Sequence, residues 1–283
     1  MNKNTLRLTL ASVAACSVIT LGSSPASAYD EHVDAAEEFI FNATVNDTDT
    51  TNGCWINWTD SNSLIGHTKG ACYFTELLKG GFGYAAADIK ALWGTPGQLG
   101  FAINSQLFFN KINSSPVVGA PAPATETYFR RITNITGVHR GDVIAIGETS
   151  TYAGHVMIVR GDPIAMIGAN ALPPFYSGTI QWAVPITDST TAEHGASGTY
   201  KDSRCTGTCV GSAFDAGAGL AYIRIYTDLL TSNLLGYTWS ATSNSPYLSP
   251  STRPYRIGRL VNLPAALPPP PPPPPPPPFA PPV

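Results

Sequence analysis

Three residues far apart in the chain have the types needed to cleave an amide with a thiol: Cys72, His155 and Asp188. A cysteine thiolate is a strong nucleophile. A histidine can take its proton and return it to a leaving amine. A carboxylate behind the imidazole can hold it in one tautomer. His194 follows Asp188 by six positions and His67 precedes Cys72 by five, so both are candidates to line the same cleft and bind substrate, as is Tyr73 beside the cysteine. A histidine taken singly is as well explained by a strand end or a solvated loop, so the elements that carry these residues decide their weight.

Cys72 opens the segment from Ala71 to Lys79, which reads as a helix with apolar Phe74, Leu77 and Leu78 and a Gly80-Gly81 stop. Unpaired N–H groups and the positive end of the helix dipole stabilise a thiolate there. His155 begins the second of two short β-branched runs, Val143–Ile146 and Val156–Val159, joined by a polar turn from Gly147 to Gly154. Asp188-Ser189-Thr190 is delivered by Ile180–Ile186, a strand in which Pro185 predicts an edge position or a bulge. Leu220–Tyr226 alternates cleanly, Tyr237–Ser240 is expected beside it, and Arg256–Leu260 is a last short strand. Upstream, residues 29–49 begin as an amphipathic helix and run into a polar connection, Asn42–Asn52. An aromatic segment, Gly53–Trp58, and a polar loop, Asp60–Gly70, follow. Ala85–Trp93 predicts a second helix, and Phe101–Ile112 fits helix and strand equally well.

The N-terminus carries an address. Lys3 and Arg7 precede an apolar stretch from Leu8 to Leu21, and Pro25-Ala26-Ser27-Ala28 ends in an A-x-A cleavage pattern. Residues 1–28 therefore read as a secretory signal peptide, with a lipobox-like Val13-Ala14-Ala15-Cys16 as the lesser alternative. A secreted or cell-envelope protein with no stable membrane span is expected. With 12% charged residues and a net charge of −3, there is no basic field for nucleic acid. The tail from residue 263 to 283 contains an unbroken run from Pro268 to Pro278, expected to be disordered outside any core and to form a polyproline rod on the order of 34 Å long. Residues 29–262 are then one domain, expected to be monomeric.

Removal of the signal peptide leaves Cys54, Cys72, Cys205 and Cys209. An even count in an exported chain reads as two disulfides, and Cys205-Thr-Gly-Thr-Cys209 can close a local bridge. Cys54 and Cys72 are then either a second bridge or thiols with separate fates. A zinc site from Cys205, Cys209 and His194 is less expected than the bridge, and neither a metal nor another cofactor is called for.

The ordered set resembles the NlpC-like bacterial exported cysteine peptidases and amidases, related to the CHAP amidases. Arg140-Gly141-Asp142-Val143 through Gly154-His155-Val156 matches that family's G-D … G-H-V strand pair. Asp188-Ser189-Thr190, His194-Gly195, Asp202-Ser203-Arg204, Gly236-Tyr237-Thr238-Trp239 and Ile257-Gly258-Arg259 match an exported subgroup in order. The family's C-S-G-F setting is replaced here by Cys72-Tyr73-Phe74. The resemblance implies an α+β, papain-like fold, with the nucleophile on a helix start packed on an antiparallel sheet carrying His and Asp. It also implies catalytic roles for Cys72, His155 and Asp188, an oxyanion donor in the Cys72 N–H, and peptidoglycan stem peptide or an exported protein as substrate. The competing expectation is an inactive relative that binds wall material or protein.

Overall fold

The computed structural model describes residues 30–59, 63–94, 103–121, 128–196, 198–207, 209 and 214–265. The expected signal peptide and the proline run lie outside them. Helix α1 (Glu31–Asn42) leads straight into β1 (Ala43–Asp47). This strand forms a small sheet with β2 (Trp55–Asn57) and β3 (Leu64–His67), in the order β1-β3-β2. Three helices follow: α2 (Ala71–Phe82), α3 (Ala86–Trp93) and α4 (Ser105–Ser114). The remainder is strand: β4 (Phe129–Ile132), β5 (Val143–Ile146), β6 (His155–Val159), β7 (Ile164–Met166), β8 (Thr179–Thr190), β9 (Gly217–Asp228), β10 (Leu234–Thr238), β11 (Tyr247–Leu248) and β12 (Tyr255–Leu260). These nine strands form one antiparallel sheet in the order β11-β10-β9-β8-β6-β5-β12-β4, with β7 also on β8.

The α+β, papain-like expectation is therefore corrected: the chain is mostly β, and its helices are an accessory layer on one large sheet. The sheet also curls. Just past β4, the Leu234 N–H donates to the Thr133 carbonyl at 2.9 Å, the Ile135 N–H donates to the Ser232 carbonyl at 3.1 Å, and Asn134 bridges Asn233. These bonds bring the β4 flank against β10, so the sheet nearly closes on itself. The enclosed face is filled by Ile144, Ile146, Met157, Val159, Val184, Ile186, Ile223, Ile225, Tyr237, Tyr255 and Ile257. The alternate residues, such as Val143, Ala145, Val156 and Ile158, face the helices. Because both faces are covered, β5 and β6 read as continuous apolar runs and not as alternating ones.

Several local expectations also move. Gly80-Gly81 does not stop α2, which runs on to Gly83 in a left-handed conformation (φ 69°). A Cβ on Gly80 would stand 2.7 Å from the Trp58 ring, and one on Gly81 would stand 2.6 Å from the Glu31 backbone. The pair lets the Trp58 ring and the start of the α1 backbone pack close against α2. The polar stretches at 42–52 and 60–70 contain β1 and β3, and the ambiguous 101–112 segment resolves as α4. Pro185 is not on an edge strand. It sits where the neighbour of β8 changes from β6 (Val159 opposite Ile186) to β7 (Ile164 opposite Ala183), a break in the ladder that tolerates a missing N–H.

The segment that enters β5 is fastened to α1 by charge. Arg140 pairs with Asp30, Asp34 and Glu37. His32, wholly buried, donates from Nε2 to the Gly141 carbonyl at 3.0 Å, while its Nδ1 has no partner. Burial is the main reason its pKa falls from 6.5 to about 3, so the ring is neutral. Next to it Asp142 accepts from Arg259 Nε at 2.9 Å and from the His139 N–H at 2.7 Å. The G-D and G-R motifs thus form a structural rivet. Among the described residues no helix is long and apolar enough to cross a membrane.

Candidate active site

The site lies at one mouth of the curled sheet, where the enclosed face runs out of apolar side chains. His155 continues the inward row of Met157 and Val159, and Asp188 continues that of Val184 and Ile186. His155 Nε2 donates to Asp188 Oδ2 at 2.7 Å. A carboxylate can only accept, so Nε2 carries a proton, and the lone pair of the neutral form is on Nδ1. That nitrogen faces the start of α2: a Cβ built on Gly70 would lie 3.4 Å from it.

The residues flanking Asp188 on β8 anchor the same helix start. The Gly70 N–H donates to the Ser189 carbonyl at 2.9 Å, Ser189 Oγ donates to the Thr68 carbonyl at 2.5 Å, and Tyr73 OH bonds Thr187 Oγ1 at 3.2 Å. Strand alternation sends Asp188 one way, to the histidines, and Thr187 and Ser189 the other, to the helix. One strand end therefore positions both the carboxylate and the cysteine-bearing turn.

Cys72 is the second residue of α2, two positions after Gly70, and it is bonded to Cys54 as a disulfide with a Cα separation of 6.3 Å. Its sulfur is therefore not a thiol in this state, and of the two readings of Cys54 and Cys72 the bridge is the one observed. The Cys72 N–H points to the Lys69 carbonyl at 3.3 Å, so the expected oxyanion donor already has an acceptor. Cys205 and Cys209 form the second bridge.

The remaining candidates separate clearly. Tyr73 is not a surface contact for substrate; its ring is wholly buried in the helix-side core. His67 ends β3, bonded to Asp47 at 2.6 Å with its ring against Trp55, opposite it across β2–β3 and next in sequence to Cys54. His194 is no exposed loop residue. It is wholly buried, with Nε2 2.9 Å from Asp188 Oδ2, Nδ1 2.5 Å from the Trp239 carbonyl, and its ring stacked on the Trp239 indole at 4.2 Å.

Two site residues carried no role in the sequence reading. Arg204 Nη2 donates to Asp188 Oδ1 at 3.0 Å and to Asp202 Oδ2 at 2.8 Å, and Asp202 Oδ2 also accepts the His194 N–H at 3.0 Å. The D-x-R motif is therefore a clamp over the carboxylate. Gly219, opposite Asp188 on β9, leaves room for it, since a Cβ there would stand 2.6 Å from Arg204 Nε. Their signal was the spacing of Asp202 and Arg204 together with a glycine-rich strand start. Burial would raise the Asp188 pKa, but the charges of His194 and Arg204 and the histidine hydrogen bonds hold it well below the ordinary carboxylate range.

Trp239 also touches the His155 ring edge-on, at 5.2 Å between centroids. It forms one wall of a cleft of about 450 Å³, lined by Glu193, Ser240, Thr242, Asn244 and Ser245. The cleft offers hydroxyl and amide groups and one negative charge, a surface suited to uncharged polar ligands. Among the described residues no group of His, Cys, Asp and Glu is arranged to hold a metal.

Comparison with known proteins leaves the architecture without a solved counterpart: no family model matches the chain, and no solved structure does. Together with the β-rich sheet, this sets aside the papain-like fold. A stretch of 139 residues is 29% identical to an uncharacterised protein of Acanthamoeba polyphaga mimivirus. It covers 47% of this chain, which spans 57% of that relative's length.

Proposed function

We propose that the protein is a secreted thiol hydrolase that cleaves amide bonds, with peptidoglycan stem peptides as the substrate class, and that it is latent while Cys54 and Cys72 are bridged. One observation carries this reading: His155 is held by Asp188 on one side, with its free Nδ1 turned to the helix start that bears Cys72. Reduction of the bridge by a dithiol yields two thiols. His155 Nδ1 takes the Cys72 proton, and the thiolate at the helix N-terminus attacks the amide carbonyl. The imidazolium then returns the proton to the leaving amine, and water, deprotonated by the same nitrogen, releases the acid and regenerates the thiol. The Cys72 N–H, freed from the Lys69 carbonyl, is the nearest candidate to hold the oxyanion. The polar cleft beside Trp239 accommodates the flanking sugar or peptide.

The disulfide itself favours a second reading, a wall-binding domain whose bridge is permanent. One experiment separates the two. Amine release from insoluble peptidoglycan is measured with the oxidised protein, the reduced protein, Cys54→Ser and Cys72→Ala. The hydrolase reading expects activity from the reduced protein and from Cys54→Ser without reductant, and none from Cys72→Ala. If the reduced protein and Cys54→Ser release no amine while the oxidised form sediments with the wall material, the binding reading takes its place.

A further inference from the structure

His194 is a buried group beside the site that the proposed reaction does not use, and its surroundings constrain it closely. Its Nε2 meets Asp188 Oδ2 at 2.9 Å and its Nδ1 meets the Trp239 carbonyl at 2.5 Å. Both partners are oxygen acceptors with no proton to give. A neutral imidazole has one donor and one acceptor nitrogen, so it would set a lone pair against a lone pair on one of these two sides. In a site with no exposed surface, no water relieves such a contact. The indole face stacked on the ring at 4.2 Å favours a cation in the same place.

The charges around it balance on that assignment. Asp188 on β8 and Asp202 in the following loop are the anions. Arg204 and a protonated His194 are the cations, and His155 on β6 is the neutral member. Glu193 turns its backbone carbonyl, not its charge, to the Trp239 indole N–H.

We propose that His194 is a positioning residue, a buried imidazolium that together with Arg204 keeps Asp188 a pure acceptor and so dictates which nitrogen of His155 is free. Its catalytic consequence rests on the hydrolase reading; its protonation state does not. The test is NMR of the full mature chain with nitrogen-15-labelled histidine, followed between about pH 5 and 8, where an ordinary imidazole titrates. His194 is assigned by ring-to-backbone correlations in the wild type, so the result does not depend on a variant folding. Two protonated-type nitrogens on His194 across the range are expected, with one protonated-type and one bare nitrogen on neutral His155. A bare-type nitrogen on His194 overturns the proposal.

A kinetic arm follows on the reduced enzyme. His194→Gln is expected to lower kcat about 10- to 100-fold, the range seen when an orienting partner is removed, with KM little changed and the pH profile displaced. An unchanged kcat and profile removes the positioning role. If no hydrolysis is found at all, the spectra still decide the state of the ring.

Discussion

The molecule buries two histidines completely, and they end up in opposite states. His32, at the open end of the β5–β6 hairpin, bonds a backbone carbonyl with one nitrogen and meets nothing polar with the other; it is neutral. His194, at the sheet mouth, also bonds a backbone carbonyl, but its second nitrogen finds a carboxylate. The aspartates beside them diverge in the same way. Asp142 is paired with Arg259, whose side chain is 25% exposed; burial outweighs that pairing, and its pKa is raised. Asp188 is paired with Arg204, 4% exposed, and with two imidazoles, and its pKa is pushed down. An Asp–Arg pair is thus a rivet in one place and the base of a charge network in the other. The difference is the number of buried donors converging on the carboxylate.

Changing one oxygen at each end tests this contrast most severely. Asp188→Asn keeps the shape but can donate to His155 and so select the other tautomer. On the hydrolase reading, kcat of the reduced protein is expected to fall on the order of 10⁴-fold. Asp142→Asn should leave turnover near wild type and instead lower the melting temperature by several degrees, for a loss of about 1–3 kcal/mol. Comparable loss of turnover in both variants would erase the distinction.

Acid provides the next largest effect; it destabilises both ends, but over different pH ranges. Because the folded-state pKa of His32 lies below its unfolded value, the unfolded chain takes up the proton first. Stability therefore falls as pH drops from about 6.5 to about 3, by roughly 1.4 kcal/mol per pH unit and on the order of 4–5 kcal/mol in all. Asp188 contributes stability that is complete above the ordinary carboxylate range and is lost only as pH falls below it. Circular dichroism across this range should show the upper part of the loss flattened in His32→Gln.

The smallest expected effect sits under the guanidinium. Gly219→Ala places a methyl within 2.6 Å of Arg204 Nε and should cost about 1–3 kcal/mol and lower kcat through Asp188. Thermal unfolding and turnover of this one variant, measured together, check the coupling; a change in stability alone would mean that the clamp does not reach the chemistry.

Much of this was legible in the chain and some was not, for identifiable reasons. The runs Val143–Ile146 and Val156–Val159 and the alternation of Leu220–Tyr226 announce β5, β6 and β9 because their apolar faces are continuous. Strands β1 and β3 escape because they are short and only partly buried: Ala-Thr-Val-Asn-Asp has the composition of a loop. Gly80-Gly81 imitates a helix stop because close packing and termination both select glycine. His155 and Asp188 could be singled out by residue type and strand position. The burial of His194 beneath Arg204 depends on Asp202, Gly219 and Trp239 converging from three separate segments, and no periodicity records that meeting. The disulfide is of the same kind: cysteine parity allowed the Cys54–Cys72 bridge without choosing it.

The order in which the strands are made bears on when this protein can exist at all. β12 is the last strand of the described chain, yet it lies between β4 and β5, pairing with both and setting Tyr255 opposite Ile146, itself opposite His155. Until residues 255–260 arrive, β4 is cut off from β5 and the two flanks of the sheet have no reason to meet. Strands made earlier therefore wait on β12 before the sheet can complete its curl. The mouth that gathers the two histidines is braced only once residues 255–260 are paired.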